Sequence, residues 1–460
     1  MDKFQDILMK VGVFAAENRY LSSIKNAFQT FVPFTIIGAI GVLWSNVICN
    51  DTTGLGALVP AVMNLSFLNP AFNALNFATI GCISVAITFL VGGEIGTSRK
   101  SSPMFCGLLA VVSLLTVTQT SLDIKAGGEL IQTVSGIFTS SLGSQGLFTG
   151  MIVAIVAVEL FCGLFKLDKL KIKLPDQVPP QIAKSFEYLV PAFIEILIIS
   201  LVGLGVNAVS GVYINDVIFN VIQKPLLYIG GSLPGVLTFM FISLVFWSIG
   251  LHGDNMIGGV FNPILTTLAV ENLDAIKAGL EPSNIVNNTF HRAFFATGGT
   301  GCMLGLTIAM LIVCKRPENK SIARIALVPE LFNIGEVSMF GVPIVMNPTL
   351  IIPFILAPLV TVIFGYVLTM LHICPIMYVD LPWTMPPLLI AFLGSGGNFM
   401  APICQLAGII LSALIYLPFV KLYEKQQAQI EQIEYLDVFQ PKQFSTVELK
   451  FVSGYNHSIN

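Results

Sequence analysis

The chain has 460 residues, of which 55% are hydrophobic and only 11% charged, whereas an ordinary soluble domain carries about 25% charged residues; it reads as a polytopic membrane protein. A formal net charge of -3, with no run of Lys and Arg interleaved with aromatics, excludes nucleic acid as a partner. The eight cysteines are scattered singly, with no CxxC pair and no His/Cys ligand spacing, so no metal and no cofactor is expected and the thiols read as small buried residues.

From the N-terminus, MDKFQDILMKVGVFAAENRYLSSIKNAF is mixed-charge and amphipathic and lacks the parts of a signal peptide; it predicts a helix on the membrane surface. A spanning helix needs about 20 mostly apolar residues, and such stretches fall at 28–48, 74–94, 103–119, 147–165 and 187–210. Residues 212–230, VYINDVIFNVIQKPLLYIG, predict an amphipathic helix lying flat. Further spans fall at 232–251, 294–314, 349–371 and 402–420, with 255–272 ambiguous. GGTGCMLG, 298–305, loosely resembles a phosphate loop but lies in an apolar span after no strand, so its small residues read as close helix packing.

Short cytoplasmic loops carry an excess of Lys and Arg. Lys3, Lys10, Arg19 and Lys25 place the N-terminus inside, and Arg99 with Lys100 places the second connection inside. Lys166, Lys169, Lys171, Lys173 and Lys184 do the same after the fourth span, Lys315, Arg316, Lys320 and Arg324 form a further basic loop, and Lys421, Lys425, Lys442 and Lys450 mark the C-terminus. Of the 23 basic residues only Lys125, Lys224, Lys277 and Arg292 fall elsewhere. Parity then requires 255–272 to cross, giving about ten crossings with both termini cytoplasmic.

Two apolar stretches do not fit as spans. Residues 325–347 are broken by Pro329, Gly335, Gly341 and Pro343, and 381–397 begins LPWTMPP and ends GSGG. Broken backbone at membrane depth is tolerated only where it is buried in protein or lines a wet cavity, so both predict re-entrant hairpins around a polar site. The fold class expected is therefore all-α and polytopic, with about ten transmembrane helices, two re-entrant hairpins and amphipathic surface helices. Glu336 stands in the first hairpin, and an intramembrane carboxylate survives where it faces a cavity or a partner; capping of the hairpin or pairing with Arg324 is the plain alternative. His252 and Trp247 in FWSIGLHGDN stand near the inner end of the sixth span, and Trp383 at the mouth of the second hairpin. A lone histidine in an apolar helix is commonly a packing residue and a boundary tryptophan an anchor, so the three do not by themselves define a site.

FNIGEVSMFGVPIVMNP, FWSIGLHG and LPWTMP, with KLPDQVPPQIAKSFEYLVPAF at 173–193, together resemble the signature segments of the membrane-spanning IIC component of the bacterial phosphoenolpyruvate-dependent sugar phosphotransferase system (PTS), in its lactose/cellobiose/N,N'-diacetylchitobiose family. The resemblance runs from about residue 5 to about 425. It implies a sugar permease in the bacterial cell membrane that binds a β-linked disaccharide, of cellobiose or diacetylchitobiose type ahead of lactose, and presents it for phosphorylation. It also implies a homodimer, with 1–210 as the dimerisation half, 232–425 as the substrate-binding half and 426–460 as a cytoplasmic tail. By the same resemblance Glu336 is the catalytic carboxylate, His252 the residue beside the reacting hydroxyl, Trp247 and Trp383 the stacking residues, and Asn333 and Gly81 further sugar contacts. The family's phosphate donor is a phosphocysteine on a IIB component; every cysteine here lies at or before Cys404, within spans or at their ends, so a separate, transiently bound IIB protein is expected as partner alongside the disaccharide and lipid.

The competing reading is a proton-coupled secondary sugar transporter, with broken helices around a midplane site and Glu159, Glu195 or Glu336 as proton carrier. An intramembrane hydrolase lacks support, since HExxH, GxSxG and paired catalytic aspartates are absent. His291 and His372 carry no motif.

Overall fold

The computed structural model describes residues 18–51, 55–126, 129–175, 177–345 and 347–439; the predicted N-terminal surface helix up to Glu17 and the tail beyond Phe439 lie outside them. The chain order is α1 (Arg19–Leu43), α2 (Ile83–Ser98), α3 (Pro103–Thr116), α4 (Leu147–Phe165), α5 (Pro180–Ser210), α6 (Leu233–Ser248), α7 (Gly253–Lys277), α8 (Asn288–Phe294), α9 (Met303–Val313), α10 (Pro317–Glu330), α11 (Glu336–Gly341), α12 (Pro348–Met370), α13 (Leu389–Gly394) and α14 (Met400–Phe439). Nine of the ten apolar stretches are helical over most of their length, and the eighth, 294–314, is helical beyond Phe294 only from Met303 on. By length and composition alone α1, Pro60–Ser98, Ser144–Phe165, α5, α12 and Met400–Gln429 qualify as spans, and the bent pair Ile214–Gly231 and Leu233–Ser248 adds a seventh. The other three fall short for visible reasons: α3 has 14 residues, α7 carries Asp254, Asn262, Glu271 and Asp274, and the eighth span is broken between α8 and α9.

Local chemistry sets the boundaries. Asn18 caps α1 by accepting from the amides of Tyr20 and Leu21, and Ser102 caps α3 ahead of a proline at the first helical position, satisfying or removing N–H groups that have no partner within the helix. The segment 212–230 is helical as predicted and turns by 77° into α6, the geometry of an element lying across the span it precedes. α2 and α3 pack through small residues: a Cβ on Gly92 would lie 2.7 Å from Ala110 Cβ, which is how helices approach closely without a bulky seam. The all-α class holds, and the only β structure among the described residues is a short hairpin in the connection between α3 and α4. Ser121–Ala126 and Glu129–Ser135 form a two-stranded antiparallel hairpin, whose alternation of apolar and polar residues, LDIK against LIQTV, has strand rather than helix period.

Two main hydrophobic cores divide the chain. One gathers Phe31, Ile87, Leu109, Ala154 and Phe161 from α1 to α4; the other gathers Met240, Phe290, Leu306, Phe354 and Tyr416 from α6 to α14. α7 joins them, with Ile264 and Leu268 in the first and Phe261 and Leu265 in the second. α14 runs without interruption from Met400 to Phe439.

Candidate functional site

Both broken segments have the hairpin form. The first is α10, a turn at 331–335, and the short α11; the second enters as irregular chain from Cys374 to Leu388 and leaves through α13. The eighth span adds a third break: between α8 and α9, Gly298, Gly299 and Gly301 have φ of 79°, 109° and 95°. Positive φ is open to glycine at little cost, so the glycines read from sequence as helix packing in fact interrupt the helix. They also permit close approach, because a Cβ on Gly299 would lie 2.7 Å from the amide nitrogen of Gly335.

Asn333 holds the three breaks together. Its Oδ1 accepts from the Gly298 amide at 2.9 Å, and its Nδ2 donates to the carbonyl oxygens of Trp383 at 2.6 Å and Met385 at 2.9 Å. Its φ of 60° is a conformation that asparagine tolerates better than most side chains. The second hairpin is tied down in the same manner, by Asn272 and Asn287 amides donating to Met377 O at 3.0 and 2.8 Å and by Thr289 Oγ1 donating to Val379 O at 2.7 Å.

Between these segments, α1, α7 and α8 lies a cavity of about 620 Å³, within the usual range for small-molecule sites. Glu336, His252, Trp247, Trp383 and Asn333 all line it. Glu336 is exposed at the first position of α11 and has no hydrogen bond or ion pair among the described residues, so the alternative pairing with Arg324 is not formed. The amides of that helical turn favour its negative charge. His252 caps α7: its Nδ1 accepts from the Asn255 amide at 3.4 Å, which in the neutral ring leaves the proton on Nε2, free to donate. Its ring lies 4.3 Å from that of Trp247.

Sequence reasoning missed Asp254. It accepts from Ser243 Oγ at 2.8 Å, from Trp247 Nε1 at 3.3 Å and from Thr300 Oγ1, so one carboxylate fixes the tryptophan plane and the glycine-rich break. Such donors satisfy the oxygens of a partly buried carboxylate; its position two residues after His252 was the available signal. Arg292, Asp380, Asn288 and His291 also line the cavity and were not selected. The wall further includes Phe28, Phe31 and Thr35 of α1 and Ile83 of α2, so the first half of the chain contributes to the site expected of the second. Gly81 does not line it: it sits in a 3-10 turn, Ile80–Cys82, at the break before α2, and of that stretch Ile83 reaches the cavity.

The two other carboxylates considered from sequence lie elsewhere. Glu159 accepts from Tyr20 Oη at 3.1 Å and Arg99 Nε at 3.0 Å and pairs also with Arg19. Glu195, fully buried, accepts from Ser113 Oγ at 2.9 Å.

A helical membrane permease with a cavity built by broken segments and carrying polar groups is the class that fold and site define. The family model for the phosphotransferase system EIIC component matches residues 25–358. The chain is 33% identical over 427 residues to the oligo-beta-mannoside-specific EIIC component of Bacillus subtilis (strain 168), covering 92% of this chain and 94% of that one. It is 30% identical over 444 residues to the cellobiose-specific EIIC component of Geobacillus stearothermophilus, covering 94% and 97%. The crystal structure of ChbC, the IIC component of the N,N'-diacetylchitobiose-specific phosphotransferase system, superposes with a TM-score of 0.85 at 32% identity over 92% of this chain and 98% of that one. The chain belongs to the phosphotransferase system EIIC family and is a sugar-permease component of that system, an integral membrane protein with a sugar substrate and a IIB partner.

Proposed function

We propose that this permease takes a β-linked disaccharide of cellobiose or diacetylchitobiose type from outside and holds it in the 620 Å³ cavity while a phosphorylated IIB protein delivers phosphate to a C6 hydroxyl. The observation that carries the reading is the unpaired Glu336 carboxylate facing a cavity it shares with the free Nε2 side of His252 and with two tryptophans. Phosphoryl transfer depends mainly on positioning and charge. Glu336 accepts the hydrogen of the reacting hydroxyl and takes its proton as the new P–O bond forms and the P–S bond to the phosphocysteine of IIB breaks, the thiolate leaving with IIB; this requires an approach to about 3 Å. His252 Nε2–H donates to a sugar oxygen beside it, and Trp247, its plane held by Asp254, and Trp383 stack on apolar ring faces. Asn333 acts by position, since both ends of its amide are occupied by backbone. Relatives named for β-mannosides, cellobiose and diacetylchitobiose support a β-glycoside as substrate.

Both termini lie in the cytoplasm by the loop-charge argument, and IIB docks transiently beside Lys315, Arg316, Lys320 and Arg324, where positive charge steers a phosphorylated partner. The half 1–210 presents exposed apolar side chains such as Phe34, Leu108 and Leu204 to lipid and to a second copy in a homodimer, while 232–425 carries the catalytic groups. The proton-coupled alternative loses two of its three carriers, because Glu159 and Glu195 are paired outside the cavity.

The test is uptake into vesicles supplied with phosphoenolpyruvate and the soluble phosphotransferase proteins, with identification of the internal product. Disaccharide phosphate is expected; free sugar accumulated under a pH gradient overturns the proposal.

A further inference from the structure

Arg292 is a cation outside every basic loop, and it borders the cavity. Its Nη1 donates to Asp380 Oδ1 at 2.6 Å and to the Leu381 carbonyl oxygen. The other oxygen of Asp380 accepts from Asn288 Nδ2 at 3.1 Å, and that amide also donates to Thr266 Oγ1 at 2.9 Å. Asp380 is thus occupied at both oxygens. Arg292 is not: a guanidinium carries five N–H donors, and its Nε and Nη2 have no partner among the described residues. Neither atom is sealed in the interior, and the side chain is 21% exposed. The free edge of the fork retains access, and the cavity is the pocket that Arg292 lines.

Charge decides what that edge takes. Asp254, Glu336 and Asp380 line the cavity against Arg292 as its one Lys or Arg, so with neutral histidines three carboxylates and one guanidinium leave an excess of two negative charges. An anionic ligand is repelled by that excess. An uncharged sugar ring suits it, because adjacent hydroxyl oxygens present two acceptors to the near-parallel N–H groups of one guanidinium edge. No hydrogen bond among the described residues joins the Arg292–Asp380–Asn288 cluster to the cluster of Asp254, Trp247, His252 and Thr300, so the cavity carries two polar clusters that are not hydrogen-bonded to one another.

We propose that Arg292 is the specificity-determining residue for the sugar ring that is not phosphorylated, donating from Nε and Nη2 to two adjacent hydroxyls of that ring. This rests on the placement of the reacting ring at Glu336. The test measures binding of cellobiose, and of its monodeoxy analogues at each hydroxyl of either ring, to the purified full chain and to Arg292→Lys, which keeps a cation for Asp380 but loses the fork.

In the parent protein, removal of one of two adjacent hydroxyls on the remote ring is expected to weaken binding about tenfold; in Arg292→Lys that penalty should largely vanish while the penalties on the reacting ring persist. Equal deoxy penalties in parent and variant, or a uniform loss for every analogue, would show that Arg292 serves only to hold the second hairpin. Coupling to the reacting ring instead would also overturn the assignment. Failure of the underlying reading has a different signature, namely a parent protein that binds cellobiose but yields no phosphorylated product with IIB.

Discussion

Replacing Asn333 by Ala removes the side chain that joins the two hairpins to the break in the eighth span. Three hydrogen bonds are lost, at 2.9, 2.6 and 2.9 Å, each worth about 1 kcal/mol net, and the buried Gly298 amide is left without its acceptor. The backbone at φ 60° costs alanine about 1 kcal/mol more. The local loss is therefore about 4 kcal/mol, borne by the turn that presents Glu336 and the irregular chain that presents Trp383. Phosphorylation of cellobiose by purified IIB should fall at least a hundredfold, and the thermal midpoint in detergent should drop. Asn333→Gly restores the backbone but not the bonds, so it should recover only about 1 kcal/mol of the total. An Asn333→Ala protein that melts and phosphorylates like the parent, or a glycine variant that recovers fully, would refute the clamp.

Glu336→Gln should abolish phosphorylation and weaken sugar binding by about 1.5 to 3 kcal/mol, the worth of a hydrogen bond to a charged group; normal phosphorylating uptake by this variant counts against the assigned role. His252→Ala should weaken binding roughly tenfold, about 1 to 2 kcal/mol, whereas unchanged calorimetric affinity would leave His252 a capping residue. Neutralising Lys315, Arg316, Lys320 and Arg324 should slow phosphorylation most at low ionic strength while sparing sugar binding, because steering by exposed charge is screened by salt. Glu195→Gln should leave phosphorylating uptake within about twofold of the parent across pH 6 to 8, since its partner Ser113 can donate equally to an amide oxygen; loss of uptake would reopen the proton-relay reading.

Apolar length made the helical stretches legible, and proline and glycine punctuation marked both hairpins, because lipid forbids unsatisfied backbone except around a cavity. Glu336, His252, Trp247 and Trp383 were visible as polar or aromatic residues where apolar ones are the rule, and the cavity collects all four. What stayed hidden was long-range pairing. Arg292 and Asp380 are 88 residues apart in the chain, and nothing local to either announces the other. The glycine-rich break was misread because small residues serve both close packing and positive φ, and only the backbone angles separate the two. Gly81 was carried by resemblance alone, and no side chain at that position offered a physical check.

α14 has a consequence for energetics beyond the site. Gln405 near its start accepts from the Leu388 amide at 2.7 Å and donates to the Ala293 carbonyl at 3.1 Å, gripping the second hairpin and α8. Further along, Tyr416 Oη donates to Gly301 O at 2.7 Å in the glycine-rich break, and Glu424 accepts from the Lys315 and Arg316 amides, both at 2.7 Å. At 1.5 Å per residue, Gln405 and Glu424 stand about 28 Å apart on one rod. α14 therefore links the second hairpin and α8, elements that border the cavity, to the basic turn. A sugar that shifts the hairpin and a protein that engages the turn act on the same helix, and by thermodynamic reciprocity any factor by which one tightens the other is returned in equal measure.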